Sequence, residues 1–249
     1  MNKDDKLKKI LDEASKDATH IVSNPDTINK LRAKGVPIEE KFITYEEYFE
    51  KLVTEKRKTA VALLSQLPKL DESIANGVIA SIYEEVRASF GLGIFTSTIF
   101  NSILLLEFAM RCRLHEERLK NDPNAEWSNV EKLKMKGLIT ALEKSKIIAK
   151  KEKSILDDFN DKFRNPYLHI NIHKMITGIY ADGIKKVDTN KNEVTIENQV
   201  DVSKHRQLWF LAKKFYDRSY VLHVLNFCIH WTNKLLKNNG EQSKREETL

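Results

Sequence analysis

The segment from Phe163 to His169, Phe-Arg-Asn-Pro-Tyr-Leu-His, carries the residue types best suited to chemistry on a phosphate group. Arg164 supplies a permanent cation that can bind phosphate oxygens through two parallel hydrogen bonds. His169 supplies an imidazole, the side chain that most readily exchanges a proton near neutral pH. Asn165 followed by Pro166 is typical of a helix start, so we expect Arg164 to end one helix and Asn165 to cap the next. Free N–H groups at that start would favour the same anion.

A second arginine–histidine pair has the same spacing. Arg218 and His223 are also five positions apart, and a pattern this short arises readily by chance. No proline, cap or turn residue stands between them, so they lie within one predicted helix and on different faces of it. We therefore expect Arg218 and His223 on the rim of a bundle helix. Arg164 and His169 straddle a predicted helix junction, which favours them as the catalytic pair.

A single acid, Glu107, interrupts an otherwise apolar helical stretch. It stands four positions before Arg111, and this spacing suits an ion pair along one helix face. A lone acid among apolar residues could also pair with an arginine elsewhere in the core, or orient Arg164. The sequence leaves these interpretations open, and in either role Glu107 would act by orientation, since it is a poor candidate for a general base.

The charge is unevenly distributed along the chain. There are 42 Lys and Arg against 36 Asp and Glu, and residues 130–153 alone hold eight lysines against three glutamates. This stretch is either a solvated helix face or a track that attracts RNA phosphates, and an electrostatic contribution of that kind depends on salt. Few aromatic residues interleave, so base-specific readout is not indicated. The candidate RNA-binding lysines are Lys144, Lys146, Lys150, Lys151 and Lys153.

Several sequence signatures of cofactor and metal sites are missing. The chain has no GxxxxGK[ST], GxGxxG, CxxC or HExxH pattern, so neither a nucleotide-cradling loop nor a zinc finger is supported. His169 and His173, four positions apart, could bind a metal from one helix face, but no carboxylate or cysteine lies close in sequence. We therefore predict no metal and no cofactor. Cys112 and Cys228 cannot build a disulfide framework, and we expect free thiols.

Composition and periodicity predict an all-α bundle with one small β-hairpin. Eight Gly and five Pro in 249 residues are too few for a turn-rich sheet protein. The charged N-terminus and the polar interruptions in the most apolar stretch predict no signal peptide and no membrane span, hence a cytoplasmic protein. We expect three regions: an N-terminal helical extension (1–73, with a short helix near 6–18), the helical bundle (74–237, with the hairpin at about 183–197) and a flexible tail (238–249).

Residues about 74–180, with the long C-terminal helix, resemble a HEPN domain (higher eukaryotes and prokaryotes nucleotide-binding). The active members of that family carry an Arg-x(4–6)-His motif, often with Asn after the arginine, and the string from Arg164 to His169 matches it, including Asn165. The stretch 102–111 resembles the earlier core helix that often carries an acid facing the motif, here Glu107. The N-terminal 70 residues and the hairpin are additions to the minimal bundle.

The resemblance implies a function as well as a fold. It implies a metal-independent endoribonuclease in which Arg164 stabilises the phosphorane, His169 transfers protons, Asn165 caps the helix and orients substrate, and Glu107 holds Arg164. It also implies a homodimer with two motifs face to face, and a role as a toxin or abortive-infection effector in antiviral defence, with an antitoxin or sensor subunit as partner. The alternatives are a non-catalytic module that binds RNA, nucleotide or a partner protein, and a plain scaffolding bundle.

Overall fold

A computed structural model describes residues 45–74, 77–188 and 193–246, together with Asn29 and Ala33. This part of the chain is predominantly helical, with two short antiparallel strand pairs, as the sequence predicts. The chain divides into two compact units: residues 49–175 with 213–249 form the helical unit, and residues 1–48 with 176–212 form the ribbon unit. The predicted short helix near residues 6–18 lies outside the described residues.

The described residues contain helices of very different length. In chain order they are α1 (Tyr45–Leu64), α2 (Gly77–Gly91), α3 (Phe95–Asn121), α4 (Ser128–Glu131), α5 (Met135–Lys144), α6 (Lys150–Phe159), α7 (Asn165–Leu168), α8 (Ile172–Ile176) and α9 (Trp209–Glu246). A π-helical turn, Asn160–Arg164, joins α6 directly to α7.

Helix α3 is the central element of the helical unit. It packs against α2 and α5, and α5 packs against α6. Apolar residues recur around most of its circumference, which is typical of a helix enclosed by neighbours. Ile99, Ile103, Leu106, Met110 and Leu114 are completely buried. Each such side chain contributes about 1.5–3 kcal/mol by leaving water, so the position of α3 is strongly determined.

Two helices differ in detail from the sequence prediction. The apolar spacing of the sequence predicts a helix from about Glu72 to Phe90 with Val78 in its core stripe, whereas α2 begins at Gly77 and Val78 is 53% exposed. From Ser128 the sequence predicts one helix that opens with a capping box between Ser128 and Glu131. This helix is divided into α4 and α5, because the chain leaves helical geometry at Lys134. The capping box is not formed, since the Ser128 hydroxyl donates to the Glu126 carboxylate.

The ribbon unit contains the predicted hairpin. Strands β2 (Ile184–Asp188) and β3 (Glu193–Glu197) pair antiparallel, and β1 (Tyr180–Ala181) pairs with β4 (Val200–Asp201). The Asp182 carboxylate bridges the interruption between the two pairs by accepting the Gln199 N–H at 2.8 Å. The predicted polar turn of the hairpin lies partly outside the described residues.

The last helix is longer than the sequence indicates. It follows two 3₁₀ turns, Val202–Lys204 and Arg206–Leu208, and Asp201 caps the first of these rather than α9 itself. The backbone stays helical to Glu246, past the predicted end at Lys237, because residues 238–246 contain no proline. Within the part of the chain that the structure describes, no helix combines the length and apolar character that crossing a bilayer requires.

The turn between α2 and α3 gives a test of backbone conformation. Gly93 has φ +64°, and the Ile94 N–H closes the helix end by donating to the Ser89 carbonyl at 2.8 Å. We expect Gly93→Ala to lower the free energy of unfolding by about 1–2 kcal/mol, because an L-residue is strained in this region. Gly137→Ala, inside α5 and free of close contacts, should raise it by roughly 0.5–1 kcal/mol.

Urea denaturation followed by circular dichroism would measure both variants against the parent chain. Equal effects of the two substitutions would contradict the helix end described for Gly93.

Candidate active site

The Arg-Asn-Pro segment is not a helix junction of the predicted kind. The chain stays in helical conformation from α6 through the π turn into α7, and Asn165 itself is right-handed helical. The Asn165 N–H is bonded to the Asn160 carbonyl, and Pro166 has no N–H to offer. The prediction of a helix start with free N–H groups is therefore wrong. The π turn widens the helix just before Pro166, which accommodates a residue that would otherwise break it.

Glu107, the predicted acid, binds Arg164, the predicted arginine. Its Oε1 accepts from Arg164 Nε at 2.8 Å, and its Oε2 accepts from Arg111 Nη2 at 3.3 Å. Glu107 is only 5% exposed, and a buried carboxylate requires compensation by charged or hydrogen-bonding partners. Glu107 thus pairs with Arg111 along α3 and also orients Arg164, the two interpretations that the sequence left open, because each carboxylate oxygen binds one arginine.

Asn165 does not cap α7. Its Oδ1 accepts from Arg164 Nη1 at 3.1 Å, and its Nδ2 donates to the Asp161 carboxylate at 3.3 Å. The asparagine after the arginine therefore fixes a second edge of the same guanidinium. Because Glu107 and Asn165 hold two of its nitrogens, Arg164 is fixed in orientation while about a sixth of its side chain remains open to solvent.

His169 lies at the end of α7, where its N–H is bonded to the Asn165 carbonyl at 3.1 Å. It is exposed, and among the described residues no side chain or backbone group bonds to its imidazole. It follows the last residue of α7, whereas Arg164 is the last residue of the π turn, so the two side chains are not related by one regular helix. Arg218 and His223 lie inside the single helix α9, as the sequence predicts, whereas Arg164 ends the π turn and His169 follows the last residue of α7.

Arg218 and His223 are both exposed on α9. The His223 ring nevertheless packs on Phe163, with 5.4 Å between ring centroids, directly before Arg164 in the chain. Sequence distance concealed this contact, because Phe163 and His223 come together only when α9 folds against the π turn. His223 is therefore an unsuitable distant control for His169.

The pairing of His169 with His173 on one helix face is not formed. Ile170 has φ +49°, which ends α7, and the Asn171 N–H donates to the Pro166 carbonyl at 2.8 Å. A β-branched residue rarely adopts this conformation, so the backbone immediately after His169 is strained. Among the described residues, no group of three His, Cys, Asp or Glu side chains is placed to hold a metal ion.

A second buried carboxylate, which the sequence analysis missed, anchors the same segment. Asp217 on α9 accepts from the Tyr167 hydroxyl at 2.6 Å, from Lys213 Nζ and from the Thr96 hydroxyl at the start of α3. Burial and the bond to Asp217 raise the pKa of Tyr167 well above its ordinary value. The four-residue spacing of Lys213 and Asp217 in one helix indicates an ion pair from the sequence alone, but nothing in the sequence indicates Tyr167 as their partner.

The lysine-rich stretch lies at the other end of α6. Four of its candidate residues are exposed around the turn between α5 and α6, namely Lys144, Lys146, Lys150 and Lys151. Lys153 is paired with the Asp157 carboxylate at 2.7 Å. From Lys150 to Arg164 the helical rise amounts to about 20 Å, so these lysines can contact only a strand that extends well beyond Arg164.

The two cysteines are free, as predicted. Burial raises the pKa of Cys112 to about 11, and complete burial raises that of Cys228 as well. A thiol is nucleophilic as its thiolate, so neither cysteine is activated for chemistry.

We expect Tyr167→Phe to lower the free energy of unfolding by about 1–3 kcal/mol, because it removes one donor to the buried Asp217 and leaves the ring in place. Tyr216→Phe is the matched control, since the hydroxyl of that neighbouring tyrosine makes no bond within the described residues. It should change stability by less than about 0.5 kcal/mol. Equal losses in the two variants, measured by chemical denaturation, would contradict this role of the Tyr167 hydroxyl.

Glu107→Gln should lower the free energy of unfolding by about 3 kcal/mol, because it leaves two partly buried guanidinium groups without their counter-charge. Glu84→Gln is the control: it removes an exposed ion pair with Arg87 and should cost less than about 1 kcal/mol. Thermal and urea unfolding would measure both. If the Glu107→Gln chain were as stable as the Glu84→Gln chain, the ion pairs of Glu107 would make no net contribution to the free energy of unfolding.

Comparison of the chain with protein-family models, with curated proteins and with solved structures gives no match in any of the three.

Proposed function

We propose that the protein is a metal-independent endoribonuclease of the HEPN type. The observation that carries the proposal is the guanidinium of Arg164, which buried Glu107 and Asn165 fix. Five residues further on, the imidazole of His169 is exposed and has no bond to any described residue. A cation held in advance at the place where negative charge develops is the arrangement that stabilises a pentacoordinate phosphate. The helical bundle and the match of Arg164 to His169 with the family motif support the same assignment.

The reaction follows from these groups. The 2′-oxygen of a ribose attacks the adjacent phosphorus, and a base removes the 2′-OH proton. The 5′-oxygen of the next nucleotide leaves as an acid protonates it, so the products are a 2′,3′-cyclic phosphate and a 5′-hydroxyl end. His169 transfers protons, Arg164 stabilises the charge on the phosphorane, Asn165 orients substrate, and Glu107 holds Arg164. Proton transfer of this kind contributes about 10²–10⁴ to the rate.

The number of catalytic groups favours a homodimer. Each chain supplies one motif histidine, and one histidine does not easily serve as both base and acid. A two-fold axis beside the motif would bring His169 of one copy towards Arg164 of the other and supply two imidazoles to the combined site. We propose this arrangement as the active form.

The remaining assignments extend the same proposal. The exposed lysines at the start of α6 would attract the RNA backbone electrostatically at a distance from the scissile phosphate. A cytoplasmic toxin or abortive-infection effector, restrained by an antitoxin or sensor subunit, is the role that kinship with the HEPN family suggests.

A non-catalytic module that binds RNA, nucleotide or a protein is the second candidate, and it is favoured by the exposed position of His169, which no partner orients. Loss of thermal stability in Arg164→Ala would not separate the two candidates or the scaffolding alternative. Arg164 is paired with a buried carboxylate, so its removal destabilises the fold in every case. His169 is the informative position, because its exposed side chain contributes little to folding.

The decisive experiment is cleavage of a mixed RNA pool in EDTA, scored by 2′,3′-cyclic phosphate ends. We expect the parent chain to cleave and His169→Ala to lose at least about 10²-fold in rate, since it lacks the proton-transfer group. His230→Ala is the matched control, because His230 is an exposed histidine of α9 whose only described ring contact is with Trp231. It should cleave at the parent rate.

Cleavage that persists in His169→Ala would overturn the assignment of this residue. RNA binding without cleavage, in a chain that is dimeric and free of other subunits, would favour the binding module. His223→Ala, run beside these variants, tests whether the imidazole packed on Phe163 takes part.

A further inference from the structure

The Glu107 cluster holds more positive charge than it neutralises. One carboxylate binds two guanidinium groups, Arg164 through Oε1 and Arg111 through Oε2, so the cluster keeps a net charge of +1. No second acid is bonded to either arginine within the described residues, because the other acceptors are the Leu133 carbonyl and the Asn165 amide oxygen. An uncompensated charge at a partly buried position favours an anion from outside the chain.

Arg111 also has unused bonding capacity. Its Nη2 contacts both Glu107 and the Leu133 carbonyl at 3.3 Å, whereas its Nε is buried and has no hydrogen-bond partner among the described residues. Buried donors are nearly always bonded in native proteins, so an unbonded one calls for an explanation. The side chain as a whole is nevertheless 20% exposed, about as much as that of Arg164.

We propose that Arg111 is a second phosphate-binding residue and that, with Arg164, it forms a two-arginine clamp on the RNA backbone. This inference rests on the proposed function and assigns a role to a residue outside the Arg-x4-His motif. Glu107 orients both guanidinium groups without cancelling them, and each retains N–H groups for phosphate oxygens. Guanidinium binds phosphate oxygens through paired N–H groups, and the proposed substrate is RNA, so the ligand class is a phosphodiester.

Arg113, two positions along α3, is the natural control. It is also largely buried, it pairs with an acid four residues away, Glu117 at 3.2 Å, and its Nη1 likewise makes no regular hydrogen bond among the described residues. What distinguishes Arg111 is therefore its place in the Glu107 cluster beside Arg164. Glu117 keeps a second cationic partner, Lys120, just as Glu107 would keep Arg164 after loss of Arg111. Arg111→Gln and Arg113→Gln therefore remove the same charge from the same helix and leave the acid paired, but only the first change touches the Glu107 cluster.

The test is binding of a 2′-O-methyl oligoribonucleotide, which has no 2′-hydroxyl and cannot be cleaved, to the full chain at several salt concentrations. Arg111→Gln should weaken binding about tenfold, the loss of one charged hydrogen-bonded contact. The slope of log affinity against log salt should fall by about 0.7, the value for one phosphate contact with a single strand. Arg113→Gln should match the parent chain, and circular dichroism checks the folding of each.

Arg111→Lys keeps the charge and should retain the parent salt slope with an affinity between those of the parent and Arg111→Gln. This variant keeps the inference testable if Arg111→Gln does not fold. Parent-like affinity and slope in both Arg111 variants would overturn the inference, as would absence of oligonucleotide binding by the parent chain. Binding that depends on Arg111 in a chain that never cleaves RNA would support the clamp and remove the proposed activity. Cleavage that depends on His169, together with normal binding by Arg111→Gln, would support the proposed activity and overturn the clamp.

Discussion

The sharing of one buried carboxylate between two arginines is the constraint on which the arrangement of the candidate site depends. Removing a charged group from water is expensive unless partners replace the lost hydration, so Glu107 in the middle of α3 must be met by cations. Arg164 arrives from the π turn, and Arg111 arrives from the next turn of α3 and also binds the Leu133 carbonyl. The carboxylate thus fixes the π turn and the segment before α5 against the central helix.

A second buried carboxylate, Asp217, also needs partners that replace its hydration, and it fixes the later part of the motif. Asp217 receives the Tyr167 hydroxyl, Lys213 and Thr96, so α7 is tied both to α9 and to the start of α3. Between the two anchors the backbone of the motif is held on both sides. Immediately beyond them the chain turns through the strained conformation of Ile170, and His169 is left exposed, with its imidazole unbonded within the part of the chain that the structure describes. The segment therefore combines a rigid cation with an accessible imidazole.

This combination underlies the proposed ribonuclease. A fixed guanidinium loses little freedom when a phosphate binds, so its attraction for developing charge is available at the moment of reaction. The cluster keeps a net positive charge despite its buried acid, which suits it to bind a polyanion. Because each chain carries one motif histidine, the proposed reaction makes a second copy of the chain the simplest source of a complete set of acid, base and cation.

The sequence by itself determined the class of fold, the hairpin, the residues of the motif and the spacing that pairs Glu107 with Arg111. Periodic apolar residues, turn residues and neighbouring charges act locally, so these features can be predicted. It did not determine the π turn, the role of Asn165, the binding of both arginines to Glu107 at once, or the capture of Tyr167 by a buried acid. These depend on which side chains meet when α3, α7 and α9 pack, and desolvation of a charge decides its partners only once the core has closed. Asn-Pro read locally indicates a helix start, whereas the packed core keeps the chain helical through Pro166.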